Sequence, residues 1–405
     1  MIILPDKNEC RTKILMPVPE KDWRTPSQFV YKDDFGNDVI RVKFRVRARI
    51  HDGFLVWEGW FESRDDFDAF LFSIANDTLK NEPGLWKLPN PQWHPDIGEV
   101  VTYDFAVLTY LTATSGTATY TSPKDWNNAN NSVECIGGGG GGAAGNGTTT
   151  LHGCGGGGGA YSKITNFAFA APGTTTATYS VGANSGVSVG SSTGVAGSAG
   201  KPTWFNNATN PGVGTNNTKC SGAAGSGGAI GTGSRSGGAG GPTTTSWGQT
   251  KFAGGAGGNL TGASGYGASG GGGAGGPSGA GGAGVSSSAT TAAVQTNGGT
   301  ADNGTVLGGA TRTPSGGVVQ GNNGANGTEF DSTHGCGGGG AGAASSVSTD
   351  TGLGGYGGNY GGGGGATVIT GTGTASSGRG RQGLIVIQYN PPIYLSTLNL
   401  PMLGL

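Results

Sequence analysis

The sequence predicts two different folds in one chain. An α+β N-terminal domain, an antiparallel sheet with a helix, is followed by an all-β glycine-rich domain with packed polyglycine segments. Three observations carry this. First, charge and glycine are divided: 34 of the 47 charged residues lie in residues 1–125, and 83 of the 89 glycines lie after them. Second, cationic and apolar residues alternate strictly from Arg41 onward, the period of a strand. Third, the later glycines come in runs between short segments of strand composition. The division sets a domain at 1–114, a second at 115–390, and an apolar tail at 391–405.

In the first domain, Arg41, Lys43, Arg45, Arg47 and Arg49 alternate with Val42, Phe44, Val46, Ala48 and Ile50. Asp52-Gly53 suits a two-residue hairpin turn. Pairing His51 with Phe54 then sets Arg47 opposite Glu58, Lys43 opposite Glu62 and Arg45 opposite Trp60. On the other face Phe44 meets Phe61 and Ala48 meets Trp57. Acids thus fall opposite cations, so the cationic stripe reads as a balanced sheet face and not as a nucleic-acid surface. Ser63 and Asp65-Asp66 resemble a helix N-terminus. Phe67, Phe70, Leu71 and Ile74 then recur at helical spacing, and a helix there would cover the hairpin. Val101, Tyr103, Phe105 and Val107 predict a later strand. His51 and His94 read as turn and packing residues.

In the second region the glycine runs are residues 137–142, 155–159, 270–273, 337–340 and 361–365. No sustained Gly-X-Y period is present, which excludes collagen, and no strand and helix flank the runs as a phosphate loop requires. Glycine loses the most backbone entropy on folding, so the runs order only if backbones pack directly together, as polyproline-II-like polyglycine permits. Strands are expected at 132–136, 161–164 and 177–181. The β-branched run 384–389 is expected to be a central strand buried on both faces.

The order Tyr120-Thr121-Ser122-Pro123-Lys124-Asp125-Trp126, Val133-Glu134-Cys135-Ile136 with the first glycine run, the second run with Ala160-Tyr161, Tyr179-Ser180-Val181-Gly182, Gly354-Gly355-Tyr356-Gly357-Gly358 and the closing Leu384-Ile385-Val386-Ile387-Gln388-Tyr389 resembles the glycine-rich domain of bacteriophage tail and fibre proteins. The resemblance covers about residues 117–390. Two His-Gly-Cys triplets and an insert around 201–220 depart from it, and residues 1–114 match no such pattern. It implies a structural virion protein, a tail fibre or appendage component with a host-recognition role. The N-terminal domain would attach it to other virion proteins. The alternative is a capsid decoration or head-fibre protein without receptor binding.

Candidate receptor contacts are Trp204, Phe205, Asn206 and Asn207, with Tyr266, Tyr356 and Tyr360 set among glycines. Aromatics with amides suit a host surface glycan or protein. Their bland alternative is gap-filling in a β core. His152 and Cys154, with His334 and Cys336, offer metal-ligand chemistry, but the usual closely spaced cysteine pairs are missing and small-residue packing is the preferred account. No cofactor is expected. Catalysis is not expected either: a glycan-cleaving site needs paired carboxylates, and the residues after 125 hold only Glu134, Asp302, Glu329, Asp331 and Asp350. A net charge of −1 argues against nucleic-acid partners. Residues MIILPDKNEC show no basic start with an apolar core, so no signal peptide, no membrane insertion and synthesis in a host cytoplasm are expected, with the virion as destination. Five cysteines, an odd number, argue against a disulfide framework. Tyr394, Leu398, Leu400 and Met402 in the apolar tail are candidate contacts of a homo-oligomer, such as a trimer.

Overall fold

The computed structural model describes residues 2–6, 11–17, 28–32, 38–51, 54–61, 101–102, 107–147, 151–262, 266–288, 294–312 and 315–390, with backbone alone before residue 107. The chain divides into two compact units, residues 1–106 and 107–405. The composition boundary at 114 is therefore moved. Val107–Leu111 pairs with Leu384–Tyr389 and belongs to the second unit. The expected strand through Val101 and Val107 is two strands, because Val101–Thr102 pairs instead with Ile2–Ile3 in the first unit.

The first unit contains a six-stranded sheet ordered Gln28–Lys32, Asp38–His51, Phe54–Phe61, Arg11–Pro17, Ile2–Asp6, Val101–Thr102, with all pairs antiparallel. The hairpin begins in the expected register, His51 opposite Phe54. A bulge between Arg45 and Arg49 then shifts it, so that Arg45 rather than Arg47 lies opposite Glu58, and Lys43 rather than Arg45 opposite Trp60. The shift is two residues, the period of the strand, so a cation still stands opposite Glu58. The helix expected after Glu62 lies outside the described residues.

The second unit is all-β. Among its described residues the only helical pieces are 3₁₀ turns at Thr243–Thr245 and Asp302–Gly304. One antiparallel sheet is ordered Thr250–Phe252, Tyr161–Thr165, Asn131–Ile136, Leu384–Tyr389, Val107–Leu111. A second is ordered Cys220–Gly222, Thr203–Phe205, Thr176–Ser180, Thr117–Thr121. Alternation along the strands of the first sheet divides its side chains between two cores. Val133, Cys135, Ile385 and Ile387 pack with Tyr179, Phe205 and Cys220 in a core shared with the second sheet. Ile136, Tyr161, Leu384 and Val386 pack on the other side with Ala274, Ala301, Cys336 and Tyr360. Leu384–Tyr389 is thus an interior strand buried on both faces, as its β-branched run predicts.

The glycine runs form a lattice whose hydrogen bonds repeat every three residues. Gly138, Gly139 and Gly140 donate to the carbonyls of Lys201, Arg381 and Gly157. Gly141, Gly142 and Ala143 then donate to Ser198, Gly378 and Cys154, on the same three neighbouring segments. Three residues per turn is the polyproline-II period, and it aims successive N–H groups in three directions. A segment surrounded on all sides must be glycine at every position. At Gly158, an added Cβ would fall far inside contact with the Gly273 carbonyl oxygen; at Gly140 it would meet that of Ser226.

This geometry explains the outer segments as well. With one direction open to solvent the sequence reads Gly-Gly-X, as in Gly237-Gly238-Ala239-Gly240-Gly241-Pro242 and Gly254-Gly255-Ala256-Gly257-Gly258-Asn259. Ala239, Pro242, Ala256 and Asn259 are the exposed positions. With two directions open it reads Gly-X-X, as in Gly321-Asn322-Asn323-Gly324-Ala325-Asn326-Gly327. Asparagine recurs at these X positions because its side chain takes the place of a missing neighbour. Asn323 Oδ1 accepts the Tyr356 N–H at 2.8 Å and Asn326 Oδ1 accepts that of Asn359 at 2.9 Å. Asn184 Oδ1 serves Gln382 at 2.7 Å and Asn259 Oδ1 serves Gly237 at 2.9 Å. Each bond satisfies an outward N–H that the lattice leaves open.

Candidate functional site

The lattice segments run between one end, formed by the two sheets described above with the turns at 276–279, 301–306 and 328–334, and a second group of short strands, which makes a crown of loops at the other end. Outgoing segments 137–142, 337–342 and 361–366 emerge side by side, and their continuations Ala144–Gly147, Ala343–Ser345 and Thr367–Thr370 pair in parallel. Val318–Gln320, Thr351–Leu353 and Thr374–Ser376 pair in parallel where the chain turns back. The loop holding Val189 and Val195 is bridged to Ser376 and Ala144. Parallel pairing follows from the lattice, since strands leaving it in one direction can only lie parallel.

The crown is rich in serine, threonine and valine. Val189, Val285 and Val347 are 61%, 48% and 53% exposed, and Val187, Val195 and Val318 are also exposed. Asp350 is buried and accepts the Ser345 hydroxyl at 2.5 Å. Arg312 reaches the Gln320 side chain at 3.1 Å. The crown surface is therefore apolar methyl and hydroxyl, suited to contact with a partner surface. The sequence signal for it was the Ser/Thr/Val character of the stretches between runs, which aromatic content obscured.

The expected receptor residues are not gathered at this crown. Phe205 is fully buried in the core between the two sheets and is corrected from contact residue to core residue. The alternation that turns Trp204 outward turns Phe205 inward. Trp204 is half-buried, with its indole N–H on the Asn207 carbonyl at 3.2 Å. Asn206 has φ 60, which asparagine tolerates, and its amide donates to Thr218 O at 2.8 Å. Asn207 donates to Thr209 O at 2.7 Å. These residues build a turn at the sheet end. Tyr266 is half-exposed and lies beside the crown strand Gly267–Ala268. Tyr356 lies on the lattice flank. Tyr360 is 9% exposed and packs in the second core, so it too is corrected to a core residue. Tyr394, Leu398, Leu400 and Met402 lie outside the described residues.

The two His-Gly-Cys triplets do not join. His152 Nδ1 meets Gly233 O at 2.6 Å, and the Cys154 thiol points to Arg235 O at 3.5 Å. His334 stacks between Tyr110, at 3.9 Å, and Tyr360, at 5.7 Å. Cys336 is buried in the second core. Among the described residues, no three His, Cys, Asp or Glu side chains gather where they could hold a metal ion. Cys135, Cys154, Cys220 and Cys336 are free thiols, and burial pushes the Cys135 and Cys336 thiols well up.

The carboxylates are mostly bound within the fold. Glu134 is buried, accepts the Tyr161 hydroxyl at 2.7 Å and pairs with Lys163 at 2.8 Å, directly across the strands. Asp302 and Glu329, distant in sequence, share an open cleft of about 360 Å³ with Ser278 and Thr305. Asp302 accepts the Ser278 N–H at 2.6 Å, and Glu329 accepts the Cys336 N–H at 2.8 Å.

Asp331 accepts the N–H groups of Thr333 and His334 at 2.7 and 2.8 Å, and these bonds, led by Thr333, hold its carboxyl well below the usual range. A depressed folded pKa contributes stability above the ordinary carboxylate range that is lost as pH falls through the folded value. The Asp331 side-chain carbon is therefore expected to show no titration by NMR across that ordinary range. A normal titration there would contradict the hydrogen bonding.

No helix among the described residues is long and apolar enough to cross a membrane. Compared with models of known protein families and with curated protein sequences, the chain matches none.

Proposed function

We propose that the chain is a non-enzymatic structural protein of a bacteriophage particle, an appendage component that presents the loop crown to the host surface while its N-terminal domain attaches to other virion proteins. One observation carries the reading. The chain enters the second unit at Val107–Leu111 and makes its last described strand at Leu384–Tyr389, and both strands lie in one sheet, at the end opposite the crown. The described part of the second unit thus begins and ends in this sheet and not at the crown. The lattice between them is a cross-bonded spacer, at about 3.1 Å per residue roughly 20 Å through a six-residue run. A fixed spacer with a methyl-and-hydroxyl tip fits adhesion better than catalysis. The two carboxylates of the Asp302–Glu329 cleft are each bonded to a backbone N–H.

The test combines position with adsorption. Localising the chain in a particle reconstruction is expected to find it on a projecting appendage. Particles carrying Val189→Asp and Val347→Asp are expected to assemble normally and lose at least tenfold in adsorption rate. A position on the head shell with adsorption unchanged would replace this reading with capsid decoration. Release of sugars from host glycan by the purified chain would remove the non-enzymatic part.

A further inference from the structure

The strongest unexplained feature lies on the flank of the lattice, away from the crown. Tyr356 is the outward residue of the Gly-Gly-X segment 354–359. Two guanidinium groups from the adjacent segment lie over its ring: Arg379 Cζ is 5.0 Å and Arg381 Cζ 5.5 Å from the centroid. The segments are bonded to each other here. Gly357 N–H donates to Arg379 O at 3.1 Å, and Arg381 Nε–H donates to Gly357 O at 2.9 Å.

Among the described residues no carboxylate pairs with these groups. The salt bridges among the described residues are Lys163–Glu134 and His334–Asp331, and neither arginine takes part in one. The Arg379 Nε–H is buried and has no acceptor. Burial and the neighbouring Arg379 charge lower the pKa of Arg381. A purely structural account would need one arginine to fasten the two segments through a ring stack and a carbonyl bond. Arg381 does this alone. A second cation beside it adds repulsion, and no acid among the described residues pairs with it to relieve that. The Arg381 Nε–H is taken by Gly357 O and the Arg379 Nε–H is buried, but the terminal NH2 groups of both make no bond among the described residues, and such groups match the oxygens of a carboxylate or phosphate. Asn323 stands beside the Tyr356 backbone, its Oδ1 accepting the Tyr356 N–H at 2.8 Å, and its amide N–H groups make no bond among the described residues. It offers a donor for a hydroxyl next to the anion.

We propose that Arg379 and Arg381, positioned by Tyr356, form a binding site for a saccharide bearing an oxyanion, a uronic acid carboxylate or a sugar phosphate. The oxyanion bridges the two guanidinium edges and cancels their repulsion, and Asn323 bonds a neighbouring hydroxyl. This site does not depend on the proposed function. It lies apart from the crown, and its test needs no particle.

The test is calorimetric titration of the full-length chain with tetragalacturonate, glucose 6-phosphate and uncharged tetragalactose. At least one of the two acidic sugars is expected to bind, and the uncharged one to bind at least tenfold more weakly. The response to each acidic sugar tells carboxylate from phosphate as the source of the anion. Arg379→Gln with Arg381→Gln is expected to lose at least tenfold in affinity. Arg379→Lys, which keeps charge without the fork, is expected to lose several-fold. Tyr356→Phe should bind as the parent does, and Tyr356→Leu should bind more weakly because the guanidinium planes lose their platform. Both arginines are half-buried, and an unchanged unfolding midpoint of the variants checks that the lattice survives. Absence of binding by both acidic sugars, equal binding of tetragalactose, or undiminished binding by the double glutamine variant would overturn the proposal.

Discussion

Gly339→Ala is expected to destabilise the second unit by about 3 kcal/mol or more, at or beyond the upper end of ordinary overpacking. Gly339 donates to Gly299 O at 2.8 Å and its own carbonyl accepts from Gly309, while its Cα faces the Gly271 carbonyl oxygen. A Cβ there would lie far inside contact with that oxygen. The obstacle is backbone, not a side chain that can rotate away. Gly271 is itself fixed, since its N–H donates to Gly340 O at 2.8 Å. Displacing it breaks bonds on more than one segment. Ala256→Ser, at an exposed X position of a Gly-Gly-X segment, is the matched control and should change stability by less than about 0.5 kcal/mol. Denaturant unfolding followed through buried Trp126 would compare the two. Similar midpoints for both variants would mean that the lattice tolerates side chains inside, against the close packing described above.

Phe205→Ala is expected to cost about 3–5 kcal/mol, the range for truncating a buried aromatic. Phe205 is fully buried, 5.3 Å edge-on from Phe167 and 6.0 Å from Tyr120. It stands opposite Tyr179 and Cys220 in the second sheet. The neighbouring Trp204→Ala should cost far less, because Trp204 is half-buried and bonds only within its own turn. Any loss of host contact in the Phe205 variant should therefore track unfolding, seen as a lowered melting temperature. A folded Phe205→Ala protein of parental stability would return Phe205 to the surface and restore it as a contact residue.

Much of this fold was legible in the sequence. The change from charged to glycine-rich composition announced two units, but it placed the boundary at 114. Composition cannot see that Val107–Leu111 is claimed by a partner strand 270 and more residues later. The hairpin turn was correct at His51 and Phe54, and the bulge beyond it left no mark in an alternation that stays regular at its own period. The strands at 131–136, 161–165, 176–180 and 384–389 were readable because β-branched and aromatic residues stood out between glycines. The two-sided burial of Leu384–Tyr389 followed from its continuous apolar run.

The candidate sites were less legible. An aromatic-amide segment marked Phe205 as a contact and an aromatic among glycines marked Tyr360, yet both fill cores, because burial depends on which side of a strand or turn a ring leaves. Asp302 and Glu329 meet in one cleft across 27 positions of sequence, which spacing alone does not reveal. Arg379 and Arg381 carry no motif that marks them in the sequence, and nothing in the chain order places Tyr356 beside them.

By itself the sequence determined the materials: a charged sheet-forming segment, strands that need burial, and glycine runs that order only by backbone packing. The tertiary structure alone decided which glycines are obligatory. A segment enclosed in every direction admits no Cβ, one open in one direction admits a side chain at every third residue, and one open in two directions admits two in three. The number of neighbours is a property of the assembled lattice, so the rule was written in the sequence and became readable only with the neighbours in place.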